Sequence, residues 1–412
     1  MADGGPQNAT DFAATFAASM GRAERRPPRG GPTLLQVLPS LVTGGVERGT
    51  VDVAAAAAAA GFRSIVVSEG GPMVRELTRA GAEHIEMPMA SKRPWVMRAN
   101  ADRLVELIRA EAVDIVHARS RAPAWSAWWA TRRTGTPMVT TFHGTYNLGF
   151  PGKRRYNSVM TRGDRVIAIS EFIADHMRRN YGGMMDTARI RVIPRGIDMG
   201  HYDSEQVSAE RVIRLSDRWR LPDGMPVVML PGRLTRWKGQ LLLLRALKEL
   251  ETRPVRCLLV GSAQGRTAYQ REVEATARKL GVADMVHVVG DCDDMPAALK
   301  LADVVVSASL DPEAFGRVAV EGQAMGRPVV APRHGGAPEQ VVEGRTGWLF
   351  NPGDPFDLAV KIDTALRLDS QARDHLYRQA VENARARFDK RRMCADTLAV
   401  YDELLGARAD GR

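Results

Sequence analysis

Short apolar runs rich in Val and Ile alternate along the chain with longer stretches of helical period. This is the pattern of βαβ units, whose parallel strands are covered on both faces and read as continuous apolar runs. From Thr33 onward the runs fall into two series. The first predicts strands at Leu34–Leu38, Ile65–Ser68, His84–Met87, Ile115–His117, Met138–Phe142, Val166–Ile169 and Ile190–Ile193. The second starts afresh, with strands predicted at Val227–Leu230, Cys257–Val260, Val286–Val289, Val304–Ala308, Pro328–Ala331 and Trp348–Phe350. Between the series lies the polar stretch Asp198 to Pro226, with Pro222-Asp223-Gly224 near its end, which reads as an interdomain connection.

The predicted class is α/β, with two Rossmann-like domains built on parallel sheets. The boundaries are a flexible tail over 1–32, a first domain over 33–205, a second over 206–388, and a C-terminal helix over 389–412. Arg25-Arg26-Pro27-Pro28-Arg29-Gly30-Gly31 closes the tail as a Pro- and Gly-rich linker. The last helix, periodic through Met393, Leu398, Tyr401 and Leu404-Leu405, is expected to cross back to the first domain. Open parallel sheets bind ligands at the carboxyl ends of their strands, where loops enter helix N-termini. A cleft between the two domains is the expected site.

Composition narrows the function. The chain has 412 residues, 44% hydrophobic and 26% charged, close to average globular usage, so wholesale disorder, collagen and coiled coil are excluded. Lys and Arg total 58 against 48 Asp and Glu, and the net charge of +10 suits phosphates, anionic membrane surfaces or nucleic acid. The acidic residues are interspersed and no RNP, KH or zinc-finger motif occurs, so no nucleic-acid partner is expected. Cys257, Cys292 and Cys394 are too dispersed for a disulfide framework or a metal knuckle, which fits a reducing cytoplasm. The longest apolar run, Ala54 to Ala60, falls far short of the roughly 20 residues of a spanning helix. Asp3 and Asp11 stand where a secretory signal would carry positive charge.

Three loops carry candidate chemistry. In Ser309-Leu310-Asp311-Pro312-Glu313-Ala314-Phe315-Gly316-Arg317-Val318-Ala319-Val320-Glu321, two glutamates stand eight positions apart after a buried-looking strand. Gly316 is predicted to open a helix ended by Gly326 and Pro328, leaving Glu313 in the loop and Glu321 about one and a half turns in. The plain alternative is a solvated Arg317–Glu321 pair at i,i+4. In Pro231-Gly232-Arg233-Leu234-Thr235-Arg236-Trp237-Lys238-Gly239, Arg233 offers a fork and Lys238 a point charge to a diphosphate, or both lie on an exposed basic loop. The third is Leu41-Val42-Thr43-Gly44-Gly45-Val46-Glu47-Arg48, where the glycine pair allows close backbone approach to a ligand. No GxxxxGK[ST] occurs, so a P-loop ATPase is not supported.

Together with Val192-Ile193-Pro194-Arg195-Gly196-Ile197-Asp198 and His334-Gly335-Gly336-Ala337-Pro338-Glu339, these loops resemble the retaining family-4 (group 1) nucleotide-sugar glycosyltransferases of the GT-B fold, over residues 33 to 405. The resemblance implies that Arg233 and Lys238 grip the donor diphosphate, with Gly44, Gly45 and Gly232 against it, and that Glu321 holds the ribose. It implies that Glu313, with backbone N–H groups of Ala314, Phe315 and Gly316, holds the transferred sugar. His143, in Thr141-Phe142-His143-Gly144, matches the family's histidine near the reacting sugar, although a lone histidine at a strand end is otherwise more often structural. The catalytic set is then Glu313, His143, Arg233 and Lys238. It implies same-face transfer with retention, no metal and no cofactor, and a UDP-hexose as the commonest donor.

Two positions depart from the family pattern. Arg195 stands where asparagine is common, adding charge at the cleft or lying at the surface. Asp291-Cys292-Asp293-Asp294 contains a DxD pattern that binds metal in another transferase fold, yet here, after Val289-Gly290, Asp291 is expected in the base-binding loop.

The acceptor side falls to the first domain. Lys92-Arg93-Pro94-Trp95, a helix with Trp125, Trp128 and Trp129, and Phe150-Pro151-Gly152-Lys153-Arg154-Arg155-Tyr156 interleave basic and aromatic residues. They suit an anionic membrane surface or glycolipid, while the three tryptophans, at i, i+3 and i+4, are also spaced as core. By resemblance to bacterial envelope-glycan enzymes, a lipid-linked or oligosaccharide acceptor of lipopolysaccharide-core type is expected, at the inner face of the cytoplasmic membrane. The alternatives are a nucleotide-sugar 2-epimerase or glycan phosphorylase of the same fold, and a non-enzymatic basic-surface binder.

Overall fold

The computed structural model describes residues 30–42, 44–149, 152–265 and 267–409. Most of the expected tail, residues 1–29, lies outside the described residues, as do Thr43, Phe150 and Pro151.

The first sheet has seven strands: β1 (Thr33–Val37), β2 (Arg63–Ser68), β3 (Glu83–Glu86), β4 (Ile115–Ala118), β5 (Met138–Phe142), β6 (Arg165–Ala168) and β7 (Ile190–Val192). They lie in the order β3-β2-β1-β4-β5-β6-β7, all parallel. The reversal between β1 and β4 is the switch point of a doubly wound sheet. The second sheet has six parallel strands, β8 (Val227–Pro231), β9 (Arg256–Val260), β10 (Val286–Gly290), β11 (Val304–Val306), β12 (Val329–Pro332) and β13 (Gly347–Phe350). Their order is β10-β9-β8-β11-β12-β13. The central strands β1, β4, β8 and β11 are buried along their whole length. The edge strand β3 is not, because among the described residues no further strand pairs with its outer side.

Helices that follow these strands aim their N-termini at the ligand-facing ends. Those that bear on the site are α1 (Gly45–Ala59) after β1, α2 (Glu171–Tyr181) after β6, α3 (Gln240–Glu249) after β8 and α4 (Arg317–Ala324) after β11. Two long helices end the chain, α5 (Ser370–Phe388) on the second sheet and α6 (Lys390–Ala409), which packs against the first. Cys394, Val400, Tyr401 and Leu404 of α6 share a buried cluster with Leu34, Ile115, Val139 and Ile167. At the kink between the two helices, Asp389 pairs with Ile197 as an isolated parallel bridge. Among the described residues, no helix is long and apolar enough to cross a membrane.

The tryptophan helix, Arg121–Thr134, settles its orientation through its small residues. Ala122, Ala124, Ser126, Ala127 and Ala130 are buried, so the helix approaches the helix Pro94–Ala110 closely, and Ser126 Oγ donates to Met97 O at 2.9 Å. The three tryptophans are therefore half-buried, Trp125 and Trp128 packing against the edge of the core and Trp129 outside it. Arg162 stacks on Trp128 at 4.3 Å and Trp125 at 5.1 Å, and Arg98 on Trp129 at 5.5 Å.

Candidate active site

The second domain supplies most of the site. After β8 the chain turns at Gly232, and a short 3-10 turn over Arg236–Lys238 leads to Gly239 at the start of α3. Gly239 has φ of +75°, and a Cβ there would lie 1.8 Å from Ala308 O, so only glycine lets this loop pack on the end of β11. That packing aims Lys238 across the strand ends: its Nζ lies 2.8 Å from Glu313 Oε1 in a largely buried ion pair, and it also stacks 4.3 Å from the Trp237 ring. Ser309 Oγ donates to the same carboxylate oxygen.

The Glu313 loop is held from behind. Gly336 N donates to Glu313 O at 2.9 Å, Gly335 lies against the Glu313 backbone, and Gln340 Nε2 donates to Phe315 O. Gly316, with φ of +80°, caps α4. One turn in, Glu321 is only 8% exposed. It accepts from Arg317 at 2.8 Å, and it stands beside Tyr202, whose hydroxyl is pushed up first by burial and then by Glu321. The i,i+4 pair is thus real, but it faces the cleft rather than bulk solvent.

From the first domain come Gly45, His143 and Arg195. The Arg195 guanidinium is buried at the strand ends: Nη1 donates to Gly45 O, and Nη2 lies 2.8 Å from His143 Nδ1. It is not a surface cation. Burial foremost, then Arg119 and Arg317, pulls its pKa down to about 10. Burial, reinforced by Arg195, Arg119 and His117, pushes His143 well below the usual imidazole range.

The functional groups converge on one open cavity of about 700 Å³ between the sheets. It brings together Gly45, His143, Arg195, Tyr202, Gly232, Arg233, Lys238, Asp291, Glu313, Ala314, Phe315, Gly316, Arg317 and Glu321. Arg233 is exposed there, with no ion-pair partner among the described residues. Gly44 caps α1 without lining the cavity, and the space a Cβ would need is filled by the Glu47 carboxylate. The DxD residues diverge. Asp291 faces the cavity, exposed Asp293 faces Arg218 at 3.4 Å, and Asp294 is paired with Arg211 while its side chain caps the helix Met295–Leu301. Among the described residues, no three His, Cys, Asp or Glu side chains are grouped as metal ligands. A second concavity of about 530 Å³, lined by Arg132, Arg162, Arg189 and Arg408, lies at the opposite ends of β5 and β6.

Two further contacts join the domains across the cleft. Ser170 Oγ donates to Ala314 O at 2.6 Å. The Glu339 carboxylate accepts the Glu171 and Phe172 amides at 2.8 and 2.6 Å, capping α2 from the other domain. Glu339 was visible in sequence only as part of the His334 loop, and nothing in its neighbourhood signals a partner 168 residues away. Tyr202 likewise gave no signal, and Arg119, whose place beside the tryptophan helix reads as basic surface with Arg121, Arg132 and Arg133, is instead buried and donates to Gly49 O.

Two parallel sheets facing a cleft rimmed by cations, paired glutamates and glycine loops define a GT-B glycosyltransferase. Residues 43–201 match the family model described as Glycosyltransferase Family 4, and residues 213–387 match Glycosyl transferases group 1. The chain belongs to this family. It is 37% identical to a glycosyltransferase from Rickettsia africae ESF-5, with a TM-score of 0.85 over 91% of this chain and 99% of that one. Anabaena Alr3699/HepE, solved in complex with UDP-glucose, is 25% identical, with a TM-score of 0.75 over 90% of this chain and 100% of that one. A D-inositol 3-phosphate glycosyltransferase from Xylanimonas cellulosilytica is 32% identical over 287 residues, 64% of this chain and 68% of that protein.

Proposed function

We propose that the protein transfers a hexose from UDP-hexose to a hydroxyl of a glycan or lipid-linked acceptor, with retention and without a metal ion. The observation that carries this reading is the convergence of Arg233, Lys238, Glu313 and Glu321 from the second domain with Gly45 and His143 from the first, around one cavity. The UDP-glucose complex of Alr3699/HepE supports the choice of donor.

In this reading Arg233 and Lys238 bind the diphosphate, Glu321 the ribose, Asp291 lies near the base, and Glu313 with the amides of Ala314, Phe315 and Gly316 holds the sugar. Breaking the anomeric C–O bond sends its electron pair to the leaving phosphate oxygen. Cations already fixed at that oxygen stabilise the growing charge without reorganising. The acceptor hydroxyl adds on the same face, and its proton passes to the departing phosphate. Lys238, engaged with Glu313 in the free protein, turns toward the phosphate when the donor enters.

The acceptor enters from the first domain, whose Arg98, Arg162 and tryptophan flank, away from the cleft, suits contact with an anionic lipid surface. Incubation with UDP-, GDP- and ADP-hexoses in EDTA, with the product anomer read by NMR, tests the donor and stereochemistry. An acceptor panel of lipid-linked glycan, lipopolysaccharide core and inositol 3-phosphate separates the acceptor classes. Strict dependence on inorganic phosphate would instead mark a phosphorylase. The absence of binding to any sugar nucleotide would overturn the reading.

A further inference from the structure

The donor reading leaves Arg195 without a role. It is a buried guanidinium whose hydrogen-bond partners are a backbone carbonyl and an imidazole nitrogen, not a carboxylate. We propose that Arg195 is a positioning residue that holds His143 as the Nε2–H tautomer, so that His143 offers the bound sugar a hydrogen-bond donor and not a base. The proposal rests on reading the cleft as a nucleotide-sugar site.

The argument is one of donor counting. A guanidinium carries only N–H groups and cannot accept. With Arg195 Nη2 at 2.8 Å, His143 Nδ1 must present its lone pair. A neutral imidazole has one N–H, which therefore sits on Nε2. Burial foremost keeps the ring neutral, and Arg195 from the loop after β7, with Arg119 and His117 from the end of β4, further disfavours a second proton. Tyr146, which follows His143 on the same loop, is held in its protonated form by burial.

His143 Nε2 is buried and has no partner among the described residues, in a residue that lines the cavity. A buried donor left unmatched in the free protein calls for an acceptor in the ligand. The sugar hydroxyl oxygens supply one. Arg195 also fixes where the ring stands, because its Nη1 is anchored on Gly45 O at the start of α1. A Cβ on residue 45 would lie 2.6 Å from that Nη1, so the glycine leaves room for the anchor.

The test reads the tautomer directly. Two-bond 1H–15N spectra of the full chain labelled with 15N-histidine, with His143 identified by its loss in His143→Gln, report each ring nitrogen in the free protein. The expected result is a pyridine-like Nδ1 and a pyrrole-like Nε2, unchanged between about pH 5.5 and 8. Arg195→Asn, whose amide can donate or accept, is expected to give mixed tautomers or a titrating ring. A ring protonated on Nδ1, or one that titrates in the wild type, overturns the proposal; the ring state is read in the wild type, and His143→Gln serves only to assign the signals.

A kinetic cycle completes it. Arg195→Asn is expected to lower kcat/KM about tenfold in the wild-type background and to change little in His143→Ala, because coupled residues are not additive. Independent, multiplicative losses overturn the positioning role while leaving the donor reading intact. Failure of the wild type to bind any sugar nucleotide overturns the donor reading instead, and with it the ligand toward which Nε2 is aimed.

Discussion

Replacing Gly335 with alanine tests whether the Glu313 loop is held by backbone packing. Gly335 has φ of +63°, and a Cβ there would lie 2.5 Å from Glu313 O and 2.7 Å from Glu313 N. Both contacts are backbone atoms that no rotamer change can move. Gly344 is the control, with φ of +72° and open space where its Cβ would stand. At either site alanine in the left-handed region costs about 1–2 kcal/mol. Only at Gly335 does overlap add about 1–3 kcal/mol more.

Thermal unfolding followed by circular dichroism should therefore place Gly335→Ala clearly below Gly344→Ala. At roughly 2–4 °C per kcal/mol for domains of this size, the first is expected to lose about 4–20 °C and the second about 2–8 °C. Because relief of the overlap moves Glu313 off Lys238, Gly335→Ala should also weaken UDP binding in a calorimetric titration, while Gly344→Ala should not. Equal losses of stability, or full UDP affinity in Gly335→Ala, would refute the reasoning.

Four other outcomes are expected. On the proposed donor reading, Lys238→Met removes one of two cations at the diphosphate and should reduce UDP affinity at least about tenfold, a loss typical of charged hydrogen bonds; unchanged affinity by calorimetry counts against that role. Tyr401→Phe strands His117 Nδ1, now 2.6 Å from the Tyr401 hydroxyl, and should cost about 1–3 kcal/mol in urea unfolding. Glu403, paired with Arg165 and Arg191, is held down to about 2 against an ordinary 4.5, chiefly by the Arg165 hydrogen bond. The pair therefore stabilises the fold fully above about pH 4.5 and ceases to do so as pH falls toward 2. Since Glu403 is about one-third exposed, screening limits the gap between wild type and Glu403→Gln to about 1 kcal/mol at neutral pH, and a gap that widens on acidification would be the wrong sign. Glu339→Ala should speed hydrogen exchange at the Glu171 and Phe172 amides, with about 0.5–2 kcal/mol of helix capping lost.

The central strands were legible as apolar runs because parallel strands buried on both faces leave little choice of residue, and the edge strands followed from the βαβ alternation around them. The glycine and charge spacing of the loops after β8 and β11 was legible for a related reason: each loop is short and local, so its geometry is written in adjacent residues. Contacts between distant segments were not. Arg195 with His143 spans 52 positions and His117 with Tyr401 spans 284, and neither leaves a periodic trace. The tryptophan helix shows the limit of a polarity argument. Its alanines took the helix contact because close approach favours small side chains, and the larger rings pack at the margin of the core.

The chain passes between the two domains twice, once near Ile197 and once at Asp389. The two passages are tied side by side: Ile197 N donates to Phe388 O at 2.8 Å, Lys390 N donates to Ile197 O at 2.9 Å, and Lys390 Nζ pairs with Asp198 at 2.6 Å. A single tether would let the halves swivel freely. Two tethers clasped at one point restrict that swivel, and Gly196, whose missing Cβ would meet Lys390 Cα at 2.3 Å, is where the two strands of chain come closest.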